Sequence, residues 1–189
     1  KRLELDLALY IAQQITDILV QIHSKGIIHF DLKPRNIIID TTDLKVSIVD
    51  FGCSVYIGDK ESITYKEMGV AQENIFGTPS YMSCEQITKK AITRYVDQVP
   101  VGNIIFRMLT GSKLYTGKTI EEILKNKLQG ITKMDFSFVK STPPEVYKII
   151  LKSIANNPKD RYTNMRALSN AIMEARLLLK NNRFKQDIL

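Results

Sequence analysis

His29-Phe30-Asp31-Leu32-Lys33-Pro34-Arg35-Asn36 is the stretch on which the reading of this chain turns. It sets an acid, a base and an amide close together in a polar turn, just ahead of the apolar run Ile37-Ile38-Ile39. An Asp can accept a proton from a hydroxyl nucleophile, a Lys can neutralise a phosphoryl oxygen, and an Asn carbonyl oxygen can hold a divalent metal. A second apolar run, Val46 to Val49, follows after Asp40-Thr41-Thr42-Asp43, so the two runs read as short strands or a hairpin. Asp50-Phe51-Gly52 comes directly after it. That places a second carboxylate at a strand end, near Asn36 across the hairpin, and supplies the hard oxygen ligands Mg²⁺ prefers. With the metal also bound to a polyphosphate, the set offers what phosphoryl transfer needs: positioning and charge neutralisation.

Outward from this centre the pattern is helical. Leu7, Ile11, Ile15, Ile18, Leu19 and Ile22 recur at helical spacing, predicting an amphipathic helix from Leu3 to Ser24 with Gly26 as its stop. From Cys53 to about Phe76 the chain is polar and aperiodic, longer than most structural connections, which marks a functional loop. Helical spacing resumes at Val96, and the near-continuous apolarity of Val101, Ile104, Ile105, Met108 and Leu109 predicts a buried central helix ended by Gly111. Further helices are predicted at Ile120–Leu128, Pro144–Ala155 and Met165–Leu179, with Pro144 suited to a first turn. The fold class is therefore mainly α with a small β element that holds the polar motifs. One domain is expected over residues 1–180, followed by a basic C-terminal tail at 181–189.

Composition narrows the functional classes. A chain of 189 residues, 44% apolar and 25% charged, is of ordinary globular type and can bury a real core. The net charge of +7 is spread along the chain, without the concentrated stripe or interleaved aromatics of a nucleic-acid patch, so no nucleic acid is expected as partner. Cys53 and Cys84 form neither a metal-ligand spacing nor a disulfide framework, and a reduced, cytoplasmic setting is expected. No apolar run approaches the roughly 18 residues of a membrane span. The chain opens on Lys1 rather than Met, so a missing leader pattern says little about the parent protein.

The two polar segments resemble the catalytic loop and the Asp-Phe-Gly metal-binding motif of protein kinases. The likeness continues in order. Gly77-Thr78-Pro79-Ser80-Tyr81-Met82 is similar to the substrate-docking end of the activation segment, and Ser83-Cys84-Glu85 stands where the family has Ala-Pro-Glu. Asp97 and Gly102 resemble the opening of the family's central helix, and Asp160-Arg161-Tyr162 its late arginine region. The resemblance covers about residues 5–178 and implies the larger, helical C-terminal lobe of a eukaryotic-type kinase. Lys33-Pro34 after Asp31-Leu32 resembles the Ser/Thr branch.

The resemblance implies the following roles. Asp31 would be the catalytic base, Lys33 would stabilise charge on the transferring phosphate, and Asn36 and Asp50 would hold Mg²⁺. Ile38 would form the floor under adenine, and Thr78 would hydrogen-bond Asp31 and Lys33. His29, Phe51 and Asp97 would form the lower part of a stacked spine, and Glu85 and Arg161 a buried ion pair anchoring the activation segment. ATP and Mg²⁺ are the implied cofactors, and a protein bearing Ser or Thr the implied partner.

Several positions depart from the family pattern. Phe30 replaces the arginine that usually pairs with a phosphate on the activation loop, so less dependence on loop phosphorylation is expected. Cys84 replaces a proline, which is expected to soften the turn while keeping the anchor. Pro100 requires that the central helix start near Asp97 or bend there. No Gly-x-Gly and no Val-Ala-Ile-Lys-like strand occur, so the ATP-covering N-terminal lobe is expected to be missing from these residues. Two other classes remain open: a pseudokinase or truncated lobe that scaffolds partners, and a small-molecule phosphotransferase of kinase-like fold. The second of these lacks the Gly-Thr-Pro segment and the Glu85/Arg161 pattern.

Overall fold

Helix α1 (Leu5–Ser24) forms where the apolar spacing predicts it, starting two residues later than Leu3. Its buried face, including Leu9, Ala12, Ile15 and Leu19, packs against the central helix α3 (Gln98–Thr110) and the last helix α6 (Met165–Asp187). The computed structural model describes residues 2–69, 77–130, 138 and 142–187, with side chains described up to residue 181.

Every residue of α3 from Gln98 to Phe106 is buried, as its continuous apolarity predicts. Of the two alternatives for Pro100, the helix takes the first. It begins at Gln98, so Pro100 falls in the first turn, where a missing N–H costs no intrahelical bond. Gly102 lets α3 lie directly on α5 (Pro144–Ser153). A Cβ at Gly102 would come within 2.7 Å of Ile154 Cγ2 and 2.9 Å of Ser153 Cβ, closer than packed atoms approach.

α4 (Ile120–Leu128) has the predicted bounds, while α5 stops at Ser153, short of Ala155. α6 runs past Leu179 to Asp187, so residues 181–187, expected as a separate tail, continue the helix. No Gly or Pro interrupts 165–187, and nothing in the local sequence stops propagation.

The small β element is two antiparallel pairs. β2 (Ile37–Ile39) and β3 (Val46–Ile48) form the predicted hairpin, with Ile37 opposite Ile48 and Ile39 opposite Val46. Strand alternation turns Ile37 and Ile39 toward the main core and leaves Ile38 outward and 55% exposed. β1 (Ile27–Ile28) pairs with β4 (Val55–Tyr56). Two-residue strands carry no readable period, so sequence reading missed them. A smaller core of Ile28, Phe30, Ile57, Ile63, Tyr65, Ile92 and Val96 lies beneath the stretch that reads as an irregular loop. A single-residue bridge between Ile63 and Ile92 fixes that stretch further. Its end, residues 70–76, lies outside the described residues. Among the described residues no helix is long and apolar enough to cross a membrane.

Candidate active site

The quoted octapeptide leaves β1 and turns sharply at Phe30, whose φ is +71°, while the Asp31 amide donates to the His29 carbonyl at 2.9 Å. Such a three-residue turn is rare for a bulky residue and is held only where surroundings over-determine it. Here the Phe30 ring is buried in the smaller core, and Gln86 Nε2 donates to the Phe30 carbonyl at 2.8 Å. The turn presents Asp31 at the base of the site.

Both Asp31 oxygens are engaged. Oδ1 accepts from the Thr78 backbone amide at 2.8 Å, and Oδ2 pairs with Lys33 Nζ. Thr78 thus meets Asp31 through its main-chain amide. Asn36 is buried, and its Nδ2 donates to the Asp31 carbonyl at 3.0 Å, which fixes the direction of the amide. Asp31, Lys33, Asn36 and Thr78 are therefore brought together, although Thr78 lies 47 residues from Asp31.

Asp50 arrives from the other side of the hairpin. The Val49 amide donates to the Asn36 carbonyl at 2.9 Å, which puts the next residue, Asp50, beside the same turn. Asp50 is exposed and has φ +64°, a second left-handed non-glycine in the site. Phe51 turns its ring toward His29, with centroids 5.1 Å apart. His29 in turn donates its amide to Asp97 Oδ2 at 2.9 Å, and the Phe30 amide donates to Asp97 Oδ1 at 2.9 Å. His23 Nε2 lies 2.8 Å from the same carboxylate. Burial alone would raise the Asp97 pKa, but the bond to His23 and the two amides outweigh it and hold the pKa below the usual range. The run Phe51–His29–Asp97 is continuous from the hairpin to the start of α3.

On the far side Arg161 and Glu85 make a buried bidentate pair, at 2.6 Å and 2.7 Å. Arg161 also reaches the carbonyls of Ala155 and Tyr95, at 2.8 Å and 3.1 Å, so its fork is well satisfied. Glu85 sits on the short helix α2 (Cys84–Ile87). Cys84 was expected to soften this turn, but Ser83 and Gln86 close it with a reciprocal capping box. Gly77 enters the segment with φ +107°, a conformation that suits glycine, and a Cβ there would press on Met82 at 3.3 Å.

The sequence model of the protein kinase domain matches residues 2–173 of this chain. The chain belongs to the protein kinase family. It is 30% identical to the serine/threonine-protein kinase PKH1 of Saccharomyces cerevisiae over 161 residues, which is 82% of this chain and 20% of that protein. It is 31% identical to the serine/threonine-protein kinase PrkC of Bacillus subtilis over 155 residues, covering 82% of this chain and 23% of the relative. It is 29% identical to the serine/threonine-protein kinase PknD of Chlamydia trachomatis serovar L2b over 166 residues, covering 80% and 18%. The chain thus spans about a fifth of the length of these curated relatives.

Among the described residues no three His, Cys, Asp or Glu side chains gather into a cage. Asn36 and Asp50 offer two hard oxygen donors on neighbouring backbone, which suits Mg²⁺, an ion that keeps water and phosphate oxygens as its other ligands. Ile38 lies on the outward face of the same hairpin. Burial first, then the Asp31 and Asp50 carboxylates, push the Cys53 thiol up, as expected of a group close to both acids.

Sequence reading missed several supporting residues. Gln86 had a signal that went unread, because Ser83-x-x-Gln86 is a capping-box pattern. His23 at Asp97, and Arg94 on the carbonyls of Gly58 and Lys60, left no local signal.

Proposed function

We propose that these residues form the C-terminal lobe of a Ser/Thr protein kinase that transfers the γ-phosphoryl group of Mg²⁺-ATP to a protein hydroxyl. In this reading the lobe covering ATP is supplied from outside the 189 residues. The observation that carries the proposal is the convergence on Asp31 of Lys33, Thr78 and Asn36, with Asp50 across the hairpin. Asp31 Oδ2 accepts the proton of the substrate hydroxyl once Lys33 turns from it toward the transferring phosphoryl group. The hydroxyl oxygen forms the new P–O bond, the bond to the β-phosphate oxygen breaks, and ADP leaves. Asn36 and Asp50 would hold Mg²⁺, which neutralises phosphate charge when bound. Ile38 would lie beneath adenine. Thr78 keeps Oδ1 of Asp31 occupied, so Oδ2 is the oxygen that takes the proton. The Phe51–His29–Asp97 run and the Glu85–Arg161 pair are positioning elements, remote from the reacting atoms.

A second reading, a pseudokinase lobe that serves as a binding module, is favoured by one observation. Phe30 fills the place of the family's arginine and packs with Ile63 and Tyr65, so the loop is docked by apolar contact. In the protein carrying both lobes, Asp50→Asn is expected to weaken ATP binding in the presence of Mg²⁺ and to leave Mg²⁺-free binding unchanged. Calorimetric titration of ATP with and without Mg²⁺ separates the two readings. Equal Mg²⁺ dependence in variant and parent would favour the binding module.

A further inference from the structure

Beside the base lies a cleft of about 370 Å³ whose walls include Lys33, Arg35, Thr78, Tyr81, Arg107 and Lys113. Four of its seven lining residues are cations and none is an acid. Lys33 is already paired with Asp31. Among the described residues no carboxylate pairs with Arg35, Arg107 or Lys113. These three come from three places in the chain: the turn after Asp31, the last part of α3, and the loop that follows α3. Their meeting is thus a product of the fold. Arg107 is also pre-oriented, since its Nη1 donates to the hydroxyl of the buried Tyr81 at 2.9 Å, leaving most of its five N–H groups for a ligand. Tyr81 belongs to the same segment as Thr78, whose amide holds Asp31.

We propose that this cleft selects the substrate: Arg35, Arg107 and Lys113 take an anionic side chain lying next to the accepting Ser or Thr. The inference rests on the kinase reading above and adds to it the chemical class of substrate. The position follows from reach. Thr78 and Lys33 both touch Asp31 and both line the cleft. An extended peptide advances about 3.3–3.6 Å per residue, so a hydroxyl at Asp31 puts only its nearest few neighbours in the cleft. A cationic neighbour would meet like charges there, and such repulsion discriminates against the wrong partner. The anion can be a Glu or Asp carboxylate or a phosphate already placed on the substrate; Arg accepts both through the same fork.

The test is binding of labelled peptides to the 189-residue chain, followed by fluorescence anisotropy at moderate salt without nucleotide. Four matched peptides carry one Ser and, beside it, two Glu, two phosphoserines, two Arg, or two Ala with the Glu pair moved to the far end. Both anionic neighbours are expected to bind at least about tenfold tighter than the Arg peptide and clearly tighter than the peptide with distant charge. The stronger of the first two identifies the carboxylate or the phosphate as the natural group. Arg35→Glu with Lys113→Glu, both exposed and free of the core, is expected to abolish or invert the preference; Arg107→Glu is read beside it. Equal binding of the Glu and Arg peptides, or a preference untouched by the double reversal, would overturn the proposal. So would equal binding of near and distant Glu, which would reduce the effect to the net charge of the chain. Because no nucleotide is present, failure of the catalytic reading leaves this result standing, and the reverse also holds.

Discussion

Lys127 carries a long cationic side chain on α4 into the interior of the fold. It lies in a Lys-Asn-Lys stretch that reads as solvated surface, yet it is 1% exposed. Its Nζ donates to the Ser80 carbonyl at 3.3 Å and sits 4.5 Å over the Tyr115 ring. Burial lowers its pKa from 10.5 to about 7, with Cys84 and Glu85 opposing and Arg161 adding to the effect. Between those two values the unfolded chain binds a proton that the folded chain does not. Stability from this group therefore rises with pH across the window and is lowest below it. Lys127→Met is expected to remove that rise. Urea midpoints for parent and variant, measured between about pH 7 and pH 10, should show their difference drifting steadily toward the parent's favour. A difference that stays flat with pH would mean that Lys127 keeps its proton when buried. Asp31, Lys33, Asn36 and Asp50 were legible because acid, base and amide lie within one short turn and hairpin. Lys127 was not, because its burial depends on Ser80 and Tyr115 arriving from elsewhere. For Thr78 the resemblance implied the partner Asp31 but not the donating atom, because sequence says nothing of where a backbone amide points.

At the scale of elements, long periodic segments were the readable ones. α1, α3 and α4 follow their apolar stripes, and the β2–β3 hairpin follows its two isoleucine- and valine-rich runs. Local periodicity could not supply contact between distant short elements, such as β1 with β4; the junction of α2 with the turn after α5 was the second such contact, and only the family resemblance implied it. That second junction rests on Glu85 and Arg161, which are 76 residues apart. Their side chains are 3% and 0% exposed, so the pair is dry. Glu85→Gln leaves the guanidinium buried without its counter-charge and is expected to cost about 3–5 kcal/mol of unfolding free energy. Urea unfolding checks this at a pH where both groups are charged. A loss under about 1 kcal/mol, the worth of an exposed pair, would show that the junction is held by Ser83, Gln86 and the surrounding core instead.

For the whole molecule, a helical body built on α1, α3, α5 and α6 carries a thin β element on which the acid, base and amide are mounted. Rigid support beneath a strained turn is the arrangement that positioning catalysis needs. The proposed peptide cleft is lined by residues from Lys33 to Lys113, while the proposed nucleotide contacts are Lys33, Asn36, Ile38 and Asp50. The 189 residues alone are accordingly expected to hold nucleotide weakly and to transfer no phosphate. The proposed role of Asp31 as the base of a phosphoryl-transfer site is read from transfer of radiolabelled phosphate from Mg²⁺-ATP to a Ser peptide. The measurement is made on the protein carrying both lobes, with and without Asp31→Ala. Turnover is expected to fall by about 10²–10⁴ in the variant, the usual worth of a positioned general base. Transfer at the parent rate after Asp31→Ala would show that Asp31 is not the base.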